Sequence, residues 1–165
     1  MATRERYLGH RPLEEPGLTA PGPVVLGTLA SRVEPDAERL AIASALEADV
    51  SLLVVNVVSA PMSPLTLQLG ALDPEREDYE AVRATAERAA RLGIRVEHLR
   101  VTSPRPAKAI VEIANERRAG LLVLGPRRAR VSRRRLRRAA REVRRHAACL
   151  VWIADEQAHG PLSSP

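Results

Sequence analysis

Eleven arginines stand between Arg127 and Arg145, and the only acid among those residues is Glu142. The segment carries a formal +10 in a chain whose total is +6, so everything outside it sums to about −4. A guanidinium is permanently charged and offers a planar fork of N–H donors, which suits bidentate capture of phosphate or carboxylate oxygens. The chemistry this clustering suggests is therefore anion binding, an inference about partners and not about fold.

The arginines fall on a helical pattern. Leu136, Ala139, Ala140, Val143 and Ala147 recur at the spacing of one apolar stripe, so the run reads as an amphipathic helix with a cationic back. Arg130 with Arg134, Arg133 with Arg137, Arg134 with Arg138, Arg137 with Arg141 and Arg141 with Arg145 are like-charge pairs four residues apart. At a few tenths of a kcal/mol each, they cost the helix roughly 1–2.5 kcal/mol at low salt. Glu142 offsets a little of this through Arg138 and Arg145. One reading leaves this face solvated and screened by salt; the other gives it an anionic partner.

Other reactive residues contribute little. Cys149 is the single cysteine, too few for a disulfide or a metal cluster, and it reads as a small core residue. His10, His98, His146 and His159 have no Ser, Cys or carboxylate partner at catalytic spacing, so catalytic residues and metal ligands are both expected to be absent. No apolar run approaches 18 residues, and the N-terminus has no apolar core of a signal peptide. The expectation is a cytoplasmic protein with no membrane partner.

The elements that must position the arginines alternate along the chain. At 165 residues there is room for one domain and its tails. Residues 1–22, rich in breakers and charge, read as a flexible N-terminal tail, and 156–165 as a C-terminal one. Apolar strand candidates lie at 23–28, 50–58, 94–101, 121–125 (LLVLG) and 149–154 (CLVWIA). The third alternates polar and apolar residues, as expected of an edge strand with one wet face.

Four amphipathic segments separate these strands. Ser31 and Glu34 offer a capping box for the first, or Pro35 opens it with Asp36 and Glu38 in its first turn. Asp73 and Pro74 open the second, with Tyr79, Val82, Ala86 and Ala89 inward and Gly93 closing it. The third runs from about Ser103 to Ala119, with Ala107, Ile110 and Ala114 inward. The order βαβαβαβαβ predicts an α/β three-layer sandwich with a five-stranded parallel sheet, whose ligands bind beyond the carboxyl ends of the strands. That directs attention to Thr28–Ser31, to Asn56–Val58 and to Gly125–Ser132.

Taken together, this order, the LLVLG strand and its glycine, PAKAIVEIA at 106–114 and the ending VRRHAACLVWIA resemble the universal stress protein family over roughly residues 23–154, within a domain read as 23–155. The resemblance implies a flavodoxin-like, Rossmann-like sheet of order 3-2-1-4-5 and a dimer formed through the last strand, with Cys149, Leu150, Val151, Trp152 and Ile153 at the interface. An uncharged last strand at a sheet edge independently invites such pairing. The resemblance also implies an ATP site with an Asp after the first strand and a glycine-rich loop after the fourth.

Most of that motif is replaced here. The Asp position falls at Leu29, followed by Ala30 and Ser31. The loop's first glycine is Gly125, the second falls at Arg128, and the closing Gly-Ser pair falls at Arg137 and Arg138, short by about one residue. Glycines let backbone N–H groups approach an anion, whereas an arginine fills that space, so the residues argue against ordinary ATP binding and assign no certain cofactor. The pocket candidates are Thr28, Ser31, Val57, Gly125, Arg127, Arg128, Arg130, Arg137 and Arg138. The reading is a non-enzymatic stress-response or signalling domain acting as a dimer, with a degenerate nucleotide pocket. Its alternative is an anion-binding module that holds a phosphorylated nucleotide or nucleic acid on helix 127–145.

Overall fold

The computed structural model describes residues 2–7, 22–29, 32–58, 74–127 and 131–154. In chain order the elements are β1 (Ala2–Tyr7), β2 (Val24–Leu29), α1 (Pro35–Glu47), β3 (Leu52–Val58), α2 (Pro74–Arg91), β4 (Val96–Thr102), α3 (Pro106–Glu116), β5 (Leu121–Leu124), α4 (Arg133–His146) and β6 (Leu150–Ile153). The sheet has the order β1-β4-β3-β2-β5-β6. Its five parallel strands, β2 to β6, have the expected 3-2-1-4-5 arrangement.

One expectation is corrected at the N-terminus. Residues 2–7 are not a free tail: Ala2 to Tyr7 pair antiparallel with β4, in register from Ala2 opposite Val101 to Tyr7 opposite Val96. The physical reason lies in β4, whose outward backbone groups would otherwise be unpaired at a sheet edge. β4 is thus an interior strand, buried at Val96, His98 and Leu99 and only partly covered at Glu97, Arg100 and Val101. The rest of the expected N-terminal tail and the whole expected C-terminal tail, 156–165, lie outside the described residues.

β2 and β3 are buried along their whole length because helices cover both faces. On one face α3 and α4 pack Ile110, Val111, Leu136 and Val143 against Leu53, Val55, Leu122 and Leu124. On the other, α1 and α2 pack Ala37, Ala41, Val82 and Ala86 against Leu26, Leu52, Val54 and Val123. The helices' contact stripes are largely alanine, so they lie close to the sheet. α4 buries Leu136, Ala139, Ala140 and Val143, the stripe read from the sequence.

Helix ends follow local chemistry, with one departure from expectation, at the start of α4. Glu34 is itself the α1 N-cap and its side chain makes no capping bond, so the helix is opened by Pro35 with Asp36 and Glu38 in the first turn, not by a capping box. α4 begins only at Arg133, because Ser132 caps it by accepting the Arg135 amide at 3.3 Å. Arg127 therefore precedes the helix. Gly93 closes α2 at φ 87°, the left-handed conformation that glycine adopts without cost. Asn115 ties α3 to the start of β6, donating to the His146 carbonyl at 3.0 Å and accepting from the Ala148 amide at 2.9 Å.

Two arginine–carboxylate pairs, each with two hydrogen bonds, join elements distant in sequence. Arg117 binds Glu97 through two bonds of 2.8 and 3.0 Å, which holds the end of α3 to β4. Arg88 of α2 binds Glu38 of α1 through bonds of 2.7 and 2.8 Å, and Thr85 donates to the same carboxylate at 2.8 Å. Burial by itself would raise the Glu38 carboxyl, but the Arg88 and Thr85 hydrogen bonds and the Arg88 charge outweigh it and hold the group below its ordinary 4.5. A carboxyl depressed in the folded state stabilises fully above its ordinary value and loses that contribution as pH falls through the depressed one. Urea melts of the native protein and Glu38→Gln should therefore differ most at neutral pH and converge as pH falls through the depressed value; a gap that stays constant would exclude this ionisation.

Candidate functional site

The carboxyl ends of the parallel strands are where such sheets bind ligands, and here the segments following β2 and β5 are joined to each other. The Glu34 amide donates to the Gly125 carbonyl at 2.9 Å, the Arg127 amide donates to the Arg32 carbonyl at 2.9 Å, and Val33 bridges Pro126. The Gly125 amide donates to the Gly27 carbonyl at 3.0 Å. Both polar backbone groups of the one loop glycine are thus engaged by the protein itself.

Gly125 also has a packing reason to be glycine. A Cβ built there would lie 2.2 Å from the Ala37 Cβ of α1, so the close approach of helix and strand end requires the missing side chain. Thr28 and Val57 are fully buried, and Thr28 donates to the Asn56 side-chain oxygen at 3.1 Å. These two candidates hold the strand ends together and are withdrawn from solvent. Ser31, Arg128 and Arg130 lie outside the described residues.

A cleft of about 480 Å³ opens beside this junction, between the first turn of α3 and the first three turns of α4. Leu29, Ala107 and Ala139 form its apolar part, with Pro104 and Pro106, while Arg105, Lys108, Arg135, Arg138 and Glu142 supply charge. Of the sequence candidates only Arg138 enters the cleft lining; Arg127 and Arg137 are exposed and do not line it. Lys108 lies 3.5 Å from Glu112, one turn along its own helix. Glu142 lies 3.9 Å from His146, one turn along its own helix.

Arg105, Lys108 and Arg135 were missed in the sequence, yet a signal was there. Acidic side chains are favoured in a helix's first turn because they complement the dipole, but neither α3 nor α4 has one. α3 opens with Arg105 and Lys108, and α4 with Arg133, Arg134 and Arg135. Crossover helices run back against their strands, so both positive N-termini meet at this one end of the sheet. The arrangement concentrates positive potential around an apolar floor and can bind an anion. No group of His, Cys, Asp and Glu suited to a metal ion is present among the described residues.

The last strand lies at the opposite edge from β1. Leu150 is 76% exposed, Val151 and Trp152 are half-buried, and Ile153 belongs to the protomer's own core. Cys149 is half-buried beside that core, and burial pushes its thiol up although the Leu122 backbone pulls the other way. That environment fits a structural cysteine.

A family model described as "Universal stress protein family" matches residues 22–155. The solved universal stress protein UspA from Lactobacillus plantarum aligns at TM-score 0.60 and 19% identity, covering 82% of this chain and 99% of its own. A universal stress protein in complex with cAMP aligns at 0.57 and 22%, covering 82% and 97%. One from Archaeoglobus fulgidus, in complex with dAMP, aligns at 0.56 and 21%, covering 82% and 98%. No curated protein matches.

The packing account of Gly125 is testable. Gly125→Ala should lower stability by about 1–3 kcal/mol through overpacking against α1. Adding Ala37→Gly should recover much of that loss in a denaturant melt, whereas a glycine retained only for ligand approach would show neither effect.

Proposed function

The chain belongs to the universal stress protein family, and on that premise we propose that it is a non-enzymatic stress-response or signalling domain. It acts as a homodimer in the cytoplasm, with a nucleotide pocket too altered to hold ATP in the family's manner. The observation that carries this reading is the side chain at the end of β2: Leu29, 2% exposed, stands where the family's pattern places a carboxylate. A leucine accepts no hydrogen bond from a base or ribose. The neighbouring Gly125 backbone, already bonded to Gly27 and Glu34, adds to the same reading.

Two relatives are named as complexes with cAMP and dAMP, so a pocket for adenine nucleotides exists in this fold. In this chain the corresponding end of the sheet offers leucine and arginine instead of carboxylate and glycine. For the dimer, the supporting observation is Leu150, a large apolar side chain exposed on an edge strand. Among the described residues no helix is long and apolar enough to cross a membrane.

A second reading is favoured by the cationic cleft: an anion-binding module in which side-chain guanidinium groups replace the backbone cradle. It would hold a phosphorylated nucleotide more highly charged than ATP, or nucleic acid, on α4.

Calorimetric titration with Mg-ATP and with a tetraphosphorylated guanosine nucleotide, at low and moderate salt, separates these readings. No saturable ATP binding at moderate salt is expected; stoichiometric ATP binding there would show that the pocket works despite Leu29. Salt-sensitive binding of the tetraphosphate alone favours the second reading. For the dimer, sedimentation should give a two-chain mass that Leu150→Arg reduces to one chain, and a native protein that sediments as a monomer contradicts it.

A further inference from the structure

We infer that the outer face of α4 is a docking surface for double-stranded DNA, held by its phosphodiester backbones without base specificity. The inference rests on the anion-binding reading above and names the partner. Elsewhere on the molecule, five arginines have carboxylates at hand: Arg32 with Asp78, Arg39 with Asp36, Arg83 with Glu87, Arg88 with Glu38 and Arg117 with Glu97. On α4, Arg133, Arg134, Arg137, Arg138, Arg141 and Arg145 are all exposed, and none has a carboxylate partner among the described residues.

Their geometry selects an extended ligand. At about 100° per residue, Arg134, Arg138, Arg141 and Arg145 lie on one line, opposite the buried line of Leu136, Ala139, Ala140 and Val143. Arg133 and Arg137 form a shoulder beside it. The line spans about 16 Å at ~1.5 Å per residue, so no compact anion reaches both ends. Counting the shoulder, these six arginines present about one charge per 3 Å along the axis, close to the ~3.4 Å per phosphate of one strand in duplex DNA.

The chemistry of the face narrows the choice further. It has no apolar side chain to enter a bilayer, which argues against an anionic lipid surface. It has no aromatic on which an unpaired base could stack, since Tyr79 is packed against His98 and Trp152 lies on β6. A helix of ~10–12 Å diameter fits the ~12 Å major groove of B-form DNA but not the narrow, deep one of A-form RNA.

The test is fluorescence anisotropy with a 16-base-pair DNA duplex, the matching RNA duplex, polyglutamate and the tetraphosphorylated guanosine nucleotide. DNA should bind tightest, with affinity falling roughly 10³-fold between 50 and 200 mM salt, and no dependence on its sequence. Replacing Arg134, Arg138, Arg141 and Arg145 together by Gln should lower the salt slope by about 3–4, while the all-Lys replacement keeps it. Both variants should melt no lower than the native protein, because like-charge neighbours are removed or retained without touching the buried stripe. RNA or polyglutamate bound as tightly as DNA would overturn the choice of partner. Loss of DNA binding with the tetraphosphate still bound would overturn this inference alone, and loss of both would overturn the anion-binding reading with it.

Discussion

The close contact between the end of β5 and α1 fixes the geometry of the sheet's carboxyl end. Gly125 allows Ala37 to approach within a distance that any side chain would forbid, and the backbone around it then zips to the segment after β2. Those bonds satisfy polar groups that burial would otherwise leave costly, so they belong to folding before they can belong to a ligand. With β2 and β5 joined there, the first turns of α3 and α4 are set side by side over Leu29. The cleft and its charge follow from that placement.

The electrostatics of α4 pose a problem that packing resolves. The four like-charge pairs within α4 cost roughly 1–2 kcal/mol, and a cationic first turn opposes the helix dipole. Burying Leu136 and Val143 contributes about 1.5–3 kcal/mol each, with Ala139 and Ala140 adding less. Asn115 fixes the end of the helix by bonding the His146 carbonyl. Burial therefore exceeds repulsion, and the helix tolerates an unfavourable surface.

The parallel sheet was legible in the sequence because buried strands read as apolar runs and helices as stripes; LLVVNVV and the Leu136–Val143 stripe stand in the structure as read. β1 was not legible, since ATRERY is polar and broken in pattern, and its place depends on β4's edge and not on its own sequence. Of the pocket candidates, Thr28 and Val57 are buried and Gly125 packs against Ala37. A linear reading sees that they end strands, but not that Thr28 meets Asn56 or that Gly125 meets Ala37. Arg105 and Lys108 join Arg135 and Arg138 only through the fold, which brings two helix starts together from distant parts of the chain. Their misfit with the helix dipole was the readable clue.

The backbone groups of Gly125, Glu34 and Arg127 at the switch point are bonded within the fold, which leaves side chains to meet an anion there. Amide hydrogen exchange at Glu34, Gly125 and Arg127 tests it most directly. The account predicts protection of all three close to that of the buried β2 and β3 amides, unchanged by added nucleotide. Fast exchange at Gly125 and Glu34 that slows only when a nucleotide is added would contradict it, by showing these groups free to cradle a phosphate.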